Sequence, residues 1–402
     1  MILSEKPRIE LIQGDTLEIL KTMSDESIDC IITSPPYYGL RYYGTAKWEG
    51  GYEKCEHIQK KEIKPITTGL GYPIDGGARR IGENNNYGKA HETKYKEICG
   101  KCGAKRIDRQ IGLEKTLDEY LNKLLLITAE LKRVLKKTGT MWWNHGTSYS
   151  AYGKCDTMQN YRLVLKMIDQ QGWILRNQII WYKPNCMPSS VLSRFTVDFE
   201  PVFFLTKSKK YWFEPQYEIG TGRSCGNKSI KGEGQKGFEI RDGITKVSDV
   251  KWFNRNRRCV WKIPTQPFKG AHFATFPEKL IEPMVKAGCP EFICNKCGKT
   301  REKIFKNNRQ ETRPGNYSKY TERPEGLKKR IINNPIEIGY TDCGCNSEFS
   351  GGMILDPFAG AGTTGVVAIK NNRQFIGIEL NPEYIEMARK RIENELKQQC
   401  LF

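Results

Sequence analysis

Ser34-Pro35-Pro36-Tyr37 is the stretch of this chain whose residue types and order can most directly do chemistry. Two successive prolines make a rigid support with no N–H donors of its own, so the Ser34 hydroxyl and the Pro35 carbonyl are acceptors without local competition. Acceptors fixed in this way suit a substrate amine, because they take up its hydrogens while the nitrogen is held in line with an electrophile. Tyr37 adds a flat face on which an extruded base can stack. A Pro-Pro turn beside an aromatic also arises for purely structural reasons, so the motif needs its setting.

A second constellation, Asp356-Pro357-Phe358-Ala359-Gly360-Ala361-Gly362-Thr363, lies near the other end. It follows the apolar run Met353-Ile354-Leu355 and opens a helix expected from about Thr363 to Asn371. The next strand, Phe375 to Glu379, ends on a carboxylate. Glycines in a strand-turn-helix of this kind let the backbone approach a nucleoside cofactor, and Glu379 sits where a ribose hydroxyl is accepted. NAD is the obvious ligand of such a unit, but only two of the three expected glycines are present and Asp356 would repel a pyrophosphate. S-adenosylmethionine, a sulfonium with a free α-amino group, tolerates that acid and fits better. The plain structural alternative is a tight turn without a ligand.

These two loops need a scaffold that brings them together. Ile9, Leu11 and Ile12 form a strand that turns at Gly14-Asp15 into a helix from Asp15 to Leu20. Ile28 to Thr33 is a short apolar run that the prolines must stop, so Ser34 and Tyr37 fall at a strand's carboxyl end, where open α/β sheets bind ligands. A helix is expected from Thr116, which forms a capping box with Glu119, to about Lys137. Its stripe is Leu121, Leu124, Leu125, Leu131 and Leu135, and Gly139 ends it. Thr140–Trp143, Asn177–Tyr182 and Glu200–Thr206 read as strands, with a helix from about Met158 to Gln171 and an amphipathic helix closing the chain. This is α/β alternation.

Three stretches interrupt it. Residues 43–109 are rich in Gly, Asn and Lys without periodicity, 218–251 are Gly-rich and basic, and 295–345 are polar and basic. A long loop without structure is unusual in a compact domain unless something pins it. Cysteine supplies the pins. Of fourteen cysteines, Cys55, Cys99 and Cys102 with His57 form one four-ligand set, and Cys294, Cys297, Cys343 and Cys345 form another. Thiolate and imidazole ligands in fours suit closed, tetrahedral, structural zinc, one or two ions in all. Cys30, Cys155, Cys186, Cys225, Cys259, Cys289 and Cys400 are scattered and read as packing residues. A zinc deaminase is excluded by the lack of His-x-Glu paired with Pro-Cys-x-x-Cys.

Lysine and arginine number 65 against 46 acidic residues, a formal charge of +19. Such a surplus favours a polyanionic partner, since phosphate contacts supply most sequence-independent affinity. Lys251, Arg255, Arg257 and Arg258 are the candidate phosphate contacts, or one of these arginines reads a guanine edge. Trp252 and Phe253 between them read as core rather than wedge, and Asn185 to Arg194 as another wall of a base pocket. No apolar run approaches the roughly 20 residues of a membrane span, and no leader pattern is seen, so a cytoplasmic protein is expected.

The segment Thr33 to Tyr37 resembles the catalytic motif of the DNA amino-methyltransferases, and Asp356 to Thr364 resembles their cofactor motif. Their order in the chain resembles the circularly permuted β-class. The resemblance implies a doubly wound, mostly parallel, seven-stranded Rossmann-like sheet with insertions. It implies that Asp15 approaches the cofactor adenine, and that His272 to Pro277, including Thr275 and Phe276, lines the methionine side. Thr33, Asp356, Pro357, Phe358, Gly360, Gly362, Thr363, Thr364 and Glu379 complete the implied cofactor site, with Ser34, Pro35, Pro36 and Tyr37 catalytic. Ser34 resembles the cytosine-N4 members, whereas adenine-N6 members usually carry Asp or Asn there. Cytosine-C5 chemistry needs a thiolate nucleophile, typically in a Pro-Cys pair, and the chain has none.

The expected parts are residues 1–45 and 110–215 as the catalytic portion and 259–290 with 351–402 as the cofactor portion. Residues 46–109 and 291–350 are zinc-bearing insertions, and 216–258 is the target-recognition region. The expected activity is direct methyl transfer from S-adenosylmethionine to an exocyclic amine of double-stranded DNA, alone or beside a cognate restriction endonuclease. Cytosine N4 is the expected target; the alternatives are adenine N6, a zinc-containing DNA-binding protein with a vestigial cofactor site, and methylation of RNA or protein.

Overall fold

The computed structural model describes residues 7–39, 45–52, 54, 55, 57, 62–65, 91–94, 98–149, 155–219, 254–266, 276–312 and 330–399. Its centre is an eight-stranded sheet. In chain order the strands are β1 (Ile9–Gln13), β2 (Ile28–Thr33), β3 (Leu135–Asn144), β4 (Ile174–Tyr182), β5 (Phe199–Thr206), β6 (Val260–Lys262), β7 (Met353–Asp356) and β8 (Gln374–Glu379). In space they run β1-β8-β7-β2-β3-β5-β4-β6. All are parallel except β5, which is antiparallel to both β3 and β4. The expected seven strands are present, and β6 extends the edge beyond β4 by three residues. The last two strands of the chain lie between its first two, which is what brings the Asp356 turn beside the Ser34 loop.

Among the described residues six helices cover the two faces: α1 (Thr16–Thr22), α2 (Leu117–Val134), α3 (Gln159–Gln171), α4 (Glu278–Gly288), α5 (Thr363–Lys370) and α6 (Pro382–Gln399). Two separate cores result. Leu20, Leu121, Leu124, Leu163 and Met167 pack with Ile31, Met141 and Trp143 on one face. Leu280, Val285, Val366 and Ile392 pack with Ile32, Trp142 and Phe204 on the other. Neighbours Trp142 and Trp143 serve opposite faces because side chains alternate along a strand. Strand β2 is buried at every position, as expected of a parallel strand covered on both sides.

Helix α2 starts as anticipated: Thr116 Oγ1 accepts from Glu119 N–H at 3.2 Å, and Glu119 reaches back to Lys115 N–H at 3.0 Å. Its end differs. The helix stops at Val134, not near Lys137, and β3 begins at Leu135. Leu135 pairs with Ile28 across the sheet, and Lys136 Nζ meets the Asp29 carboxylate at 2.7 Å. Pairing and burial outweigh the helical propensity of the Leu-Lys-Lys run. Gly139 is therefore no helix cap. A Cβ there would lie 2.5 Å from Leu135 Cδ1 and 2.9 Å from the Asp29 carbonyl oxygen, so glycine lets the two backbones close up.

Sequence patterns missed α4, which carries Pro283 inside it, and the three-residue β6. The polar stretch 295–345 contains an antiparallel ribbon, Lys303–Thr312 with Arg330–Tyr340. Among the scattered cysteines, Cys30 and Cys289 are buried as expected, but Cys155 and Cys259 are exposed and Cys186 half-buried; Cys225, Cys400, Trp252 and Phe253 lie outside the described residues. No helix among the described residues is long and apolar enough to cross a membrane.

Candidate active site at the carboxyl ends of β2, β3 and β7

Adjacent strands β2 and β7 end on Thr33 and Asp356, and the two side chains meet. Thr33 Oγ1 donates to Asp356 Oδ1 at 2.6 Å, Thr364 Oγ1 donates to Oδ2 at 2.7 Å, and the Phe358 N–H reaches Oδ1 at 3.1 Å. Asp356, Thr33 and Thr364 are almost fully buried. They form a latch between the two loops, with the Asp356 carboxylate turned inward.

Burial outweighs these three hydrogen bonds and raises the Asp356 carboxyl to about 6, so the folded state holds its proton more tightly than the unfolded chain. Stability from this group is therefore full below the ordinary pKa near 3.8. It declines as pH rises towards 6 and is level above that. Asp356→Asn is expected to remove this sloping component from a plot of urea midpoint against pH. An unchanged slope between pH 4 and 6 would show that Asp356 does not titrate there.

The glycine turn is held from both sides. Gly360 N–H donates to Glu379 Oε2 at 2.9 Å and Asn381 N–H to Oε1 at 2.8 Å; burial raises the Glu379 carboxyl. Gly362 is left-handed at φ +75°, and a Cβ there would meet Ala388 Cβ of α6 at 2.7 Å, so no other residue fits without displacing that helix. Arg391 donates to Ala361 O at 2.6 Å and to Thr363 Oγ1 at 3.0 Å. Pro357 O accepts from Thr16 Oγ1 at 2.7 Å. Asp15 caps α1 by accepting from Glu18 N–H at 3.2 Å, and Gly14 N–H bonds Glu379 O at 2.9 Å. Asp15, Phe358, Gly360 and Glu379 thus come to one set of strand ends. Phe276 is half-buried against the core at the start of α4. His272 and Thr275 lie outside the described residues.

Pro35 is buried while Ser34, Pro36 and Tyr37 are half-buried. Tyr37 Oη donates to Glu200 Oε2 at 2.9 Å and lies 3.5 Å from Asn144 Nδ2. Burial, then the Glu200 charge, pushes the Tyr37 phenol well above its usual range, which keeps it protonated. Lys183 pairs with Glu200, and Asn144 Nδ2 donates to Glu200 Oε2 at 3.0 Å.

Behind the loop, burial pushes the His145 imidazole down to about 3, so it is neutral in ordinary buffers. Trp143 Nε1–H donates to Nδ1 at 3.4 Å, which leaves the Nε2 hydrogen for Tyr120 Oη at 3.0 Å. The Tyr120 hydroxyl in turn donates to Pro36 O at 2.8 Å. A directed chain of hydrogen bonds thus ends on the Pro-Pro unit. Sequence patterns singled out none of Tyr120, Asn144, His145, Lys183 or Glu200. The one available signal was the polar pair Asn144-His145 breaking the apolar run of β3 at its carboxyl end.

Both cysteine sets assemble. In each, the four ligand atoms lie within 4.8 Å of one another. Cys55 Sγ and Cys99 Sγ are 3.9 Å apart, and Cys102 Sγ is 3.5 Å from His57 Nδ1. Four sulfurs about 2.3 Å from a tetrahedral zinc stand about 3.8 Å from each other. The two turns are built alike, from Ile98-Cys-Gly-Lys-Cys-Gly and Ile293-Cys-Asn-Lys-Cys-Gly. Gly103 N–H bonds Cys99 O, and Gly298 N–H bonds Cys294 O, both at 2.9 Å.

Of the candidate DNA contacts, Arg257 is half-buried and Arg258 exposed, and each has a partner within the chain. Arg257 lies over the Trp261 ring at 4.5 Å, and Arg258 Nε pairs with Glu218 at 2.7 Å. Arg255 is in the short strand Asn254–Asn256, and Lys251 and the Arg255 side chain lie outside the described residues. In the segment after β4, Asn185 Oδ1 accepts from Thr265 N–H at 2.8 Å and Arg194 stacks on Tyr149 at 3.5 Å.

A parallel sheet with one reversed strand and two loops latched at its carboxyl ends places the chain among α/β enzymes that bind ligands at that edge. A family model for N6/N4 methyltransferases, described as DNA methylase, matches residues 28–390, and the chain belongs to that family. It is an S-adenosylmethionine-dependent DNA methyltransferase of the amino-methylating type. It is 28% identical to the type II methyltransferase M.Cfr9I of Citrobacter freundii over 412 residues, covering 96% of this chain and 88% of that one. It is 27% identical to M.SmaI of Serratia marcescens, covering 95% and 90%. The solved PvuII DNA methyltransferase, described as cytosine-N4-specific, is 17% identical, with a TM-score of 0.48 over 98% of this chain and 94% of that one.

Proposed function

We propose that this chain methylates cytosine N4 at a specific site in duplex DNA, on a base turned out of the helix into the crevice beside Ser34. The supporting observation is the Thr33–Asp356 hydrogen bond at 2.6 Å. It locks the amine-accepting loop to the glycine turn across most of the chain. S-adenosylmethionine supplies an electrophilic methyl group on sulfonium sulfur. Asp15, Phe358, Gly360 and Glu379 are the residues that fit its nucleoside, with the Asp356 latch shaping the turn. The cysteine and histidine donors fit structural zinc, which would close the two insertions without a part in the reaction.

The amine of a base is a poor nucleophile because its lone pair is delocalised into the ring. Ser34 Oγ and Pro35 O accept its hydrogens, and Tyr37 stacks on the ring. With S-adenosylmethionine bound, its methyl group would be transferred to the nitrogen lone pair that these acceptors hold in place, leaving S-adenosylhomocysteine. The surplus proton passes from nitrogen through these acceptors to water.

Ser34 in place of Asp or Asn favours cytosine over adenine. The type II relatives support a restriction-modification setting with a cognate endonuclease, and residues 216–258 are the segment assigned to target recognition. The test is incubation with labelled cofactor and unmethylated duplex DNA, followed by digestion to nucleosides. N4-methylcytosine is expected. N6-methyladenine would overturn the base assignment alone, whereas cofactor binding without any labelled nucleoside would overturn the activity.

A further inference from the structure

Asn144, the last residue of β3, is 4% exposed, and its Oδ1 is fully buried without a hydrogen-bond partner. Buried amide oxygens are almost always satisfied, and an orphan costs free energy unless a ligand completes it. The amide nitrogen is only partly committed. One hydrogen goes to Glu200 Oε2 at 3.0 Å, while the other faces long contacts, 3.4 Å to Ser34 Oγ and 3.5 Å to Tyr37 Oη. Asn144 therefore offers one free acceptor and one spare donor, side by side in a plane, beside the catalytic loop.

That pattern has a specific complement. Cytosine presents its exocyclic amine next to ring N3, and adenine presents its amine next to ring N1. Each is a donor beside an acceptor, which a carboxamide pairs with two parallel hydrogen bonds, as asparagine does with adenine edges in grooves. Uracil and hypoxanthine carry the reverse pattern, an acceptor beside an N–H donor. They would set oxygen against Oδ1 and hydrogen against Nδ2–H.

We propose that Asn144 reads the amine-plus-ring-nitrogen edge of the extruded base, its Oδ1 sharing with Ser34 Oγ the amine hydrogen on the ring-nitrogen side while Pro35 O takes the other, and so makes the site selective for amino over oxo bases. Glu200, held by Lys183, accepts one amide hydrogen and thereby fixes which way the amide points. Glu200 is a positioning residue, since it acts through Asn144 and Tyr37. The assignment rests on the base-methylating function proposed above, and it explains how one pocket design serves both cytosine and adenine chemistry.

The methylation site is first mapped by sequencing DNA modified by the wild-type enzyme. Synthetic duplexes then carry either the natural target base or its oxo counterpart, uracil or hypoxanthine, and their dissociation constants are measured with S-adenosylhomocysteine present. Pair opening contributes equally for every protein variant, so the readout is the change in amino-over-oxo preference. Asn144→Ala is expected to reduce that preference about 10- to 100-fold, in keeping with one bidentate amide–base pair. Glu200→Gln should reduce it by less, while both variants keep their affinity for the cofactor. Should Asn144→Ala fail to give a folded protein by thermal melt, Asn144→Ser carries the same readout.

A preference changed by less than about threefold in a folded, cofactor-binding variant overturns the assignment. A wild-type enzyme that methylates no DNA amine defeats the proposed function, whereas methylation with an unaltered preference in the variant defeats only the role of Asn144.

Discussion

Ser34→Ala is expected to lower the rate of methyl transfer by about 100- to 1000-fold, the usual cost of removing one preorganised hydrogen-bonding group from a transition state. Cofactor affinity should stay within about twofold, because the variant leaves the Thr33–Asp356–Thr364 latch and the Gly360–Glu379 contact intact. Stability should change little, since Ser34 is half-buried and its hydroxyl bonds at the crevice rather than in either core. The effect therefore belongs in kcat. Single-turnover transfer to saturating DNA, with calorimetry for S-adenosylmethionine, measures the two quantities separately. A folded Ser34→Ala enzyme within tenfold of wild-type turnover would remove Ser34 from the catalytic role and leave the Pro35 carbonyl and Asn144 Oδ1 as the amine's acceptors.

Removing metal is the second large effect. The purified protein is expected to carry about two zinc ions per chain by elemental analysis, and Cys294→Ser about one. Structural zinc is worth on the order of 10 kcal/mol per site in small domains, far more than the polar insertions can recover from burial. Zinc-free protein, or an unchanged zinc content in Cys294→Ser, would refute the assignment.

The two sites should fail differently on chelation. Cys294 lies in the short pairing of Ile293–Cys294 with Phe349–Ser350, and Gly352 N–H bonds Pro290 O at 2.9 Å at the root of β7. Loss of that ion should loosen the strand that delivers Asp356 and weaken cofactor binding. The other set lies between the catalytic loop and α2, where Gly39 N–H bonds Gly112 O at 2.9 Å. Its loss should reduce turnover through Tyr37 while cofactor binding is kept. Cys99→Ser and Cys294→Ser, compared for cofactor affinity and for turnover, distinguish the two.

Much of this protein was legible in its residues because the signals are local. Pro35-Pro36 must end β2 wherever the chain goes, and Gly360 and Gly362 must sit where backbone conformation or a neighbouring helix tolerates no side chain. Cys-x-x-Cys pairs announce their own geometry, and the alternation of apolar runs with capped helices specifies an α/β sheet. The order of the two loops in the chain already implied which strands the fold had to bring side by side.

What failed locally did so for non-local reasons. Leu135-Lys136-Lys137 continues a helical pattern, yet it becomes strand because Ile28 and Asp29 wait beside it. Pro283 disguised a helix whose apolar face is bought by the sheet. Cys155 and Cys259 looked like packing residues because burial of a lone cysteine leaves no mark in sequence.

The sequence by itself determined the groups on offer: a rigid Ser-Pro-Pro-Tyr loop, a glycine turn after a strand, two sets of four cysteine and histidine side chains, and a strongly basic composition. Only the tertiary structure decided how those groups are aimed. Thr33 meets Asp356, Tyr120 links His145 to Pro36, and Glu200 gathers Tyr37, Asn144 and Lys183. These partners lie tens to hundreds of residues apart, and hydrogen bonds over a few ångströms carry no trace along the chain. They depend on the strand order that places the ends of β2, β3, β5 and β7 around one crevice.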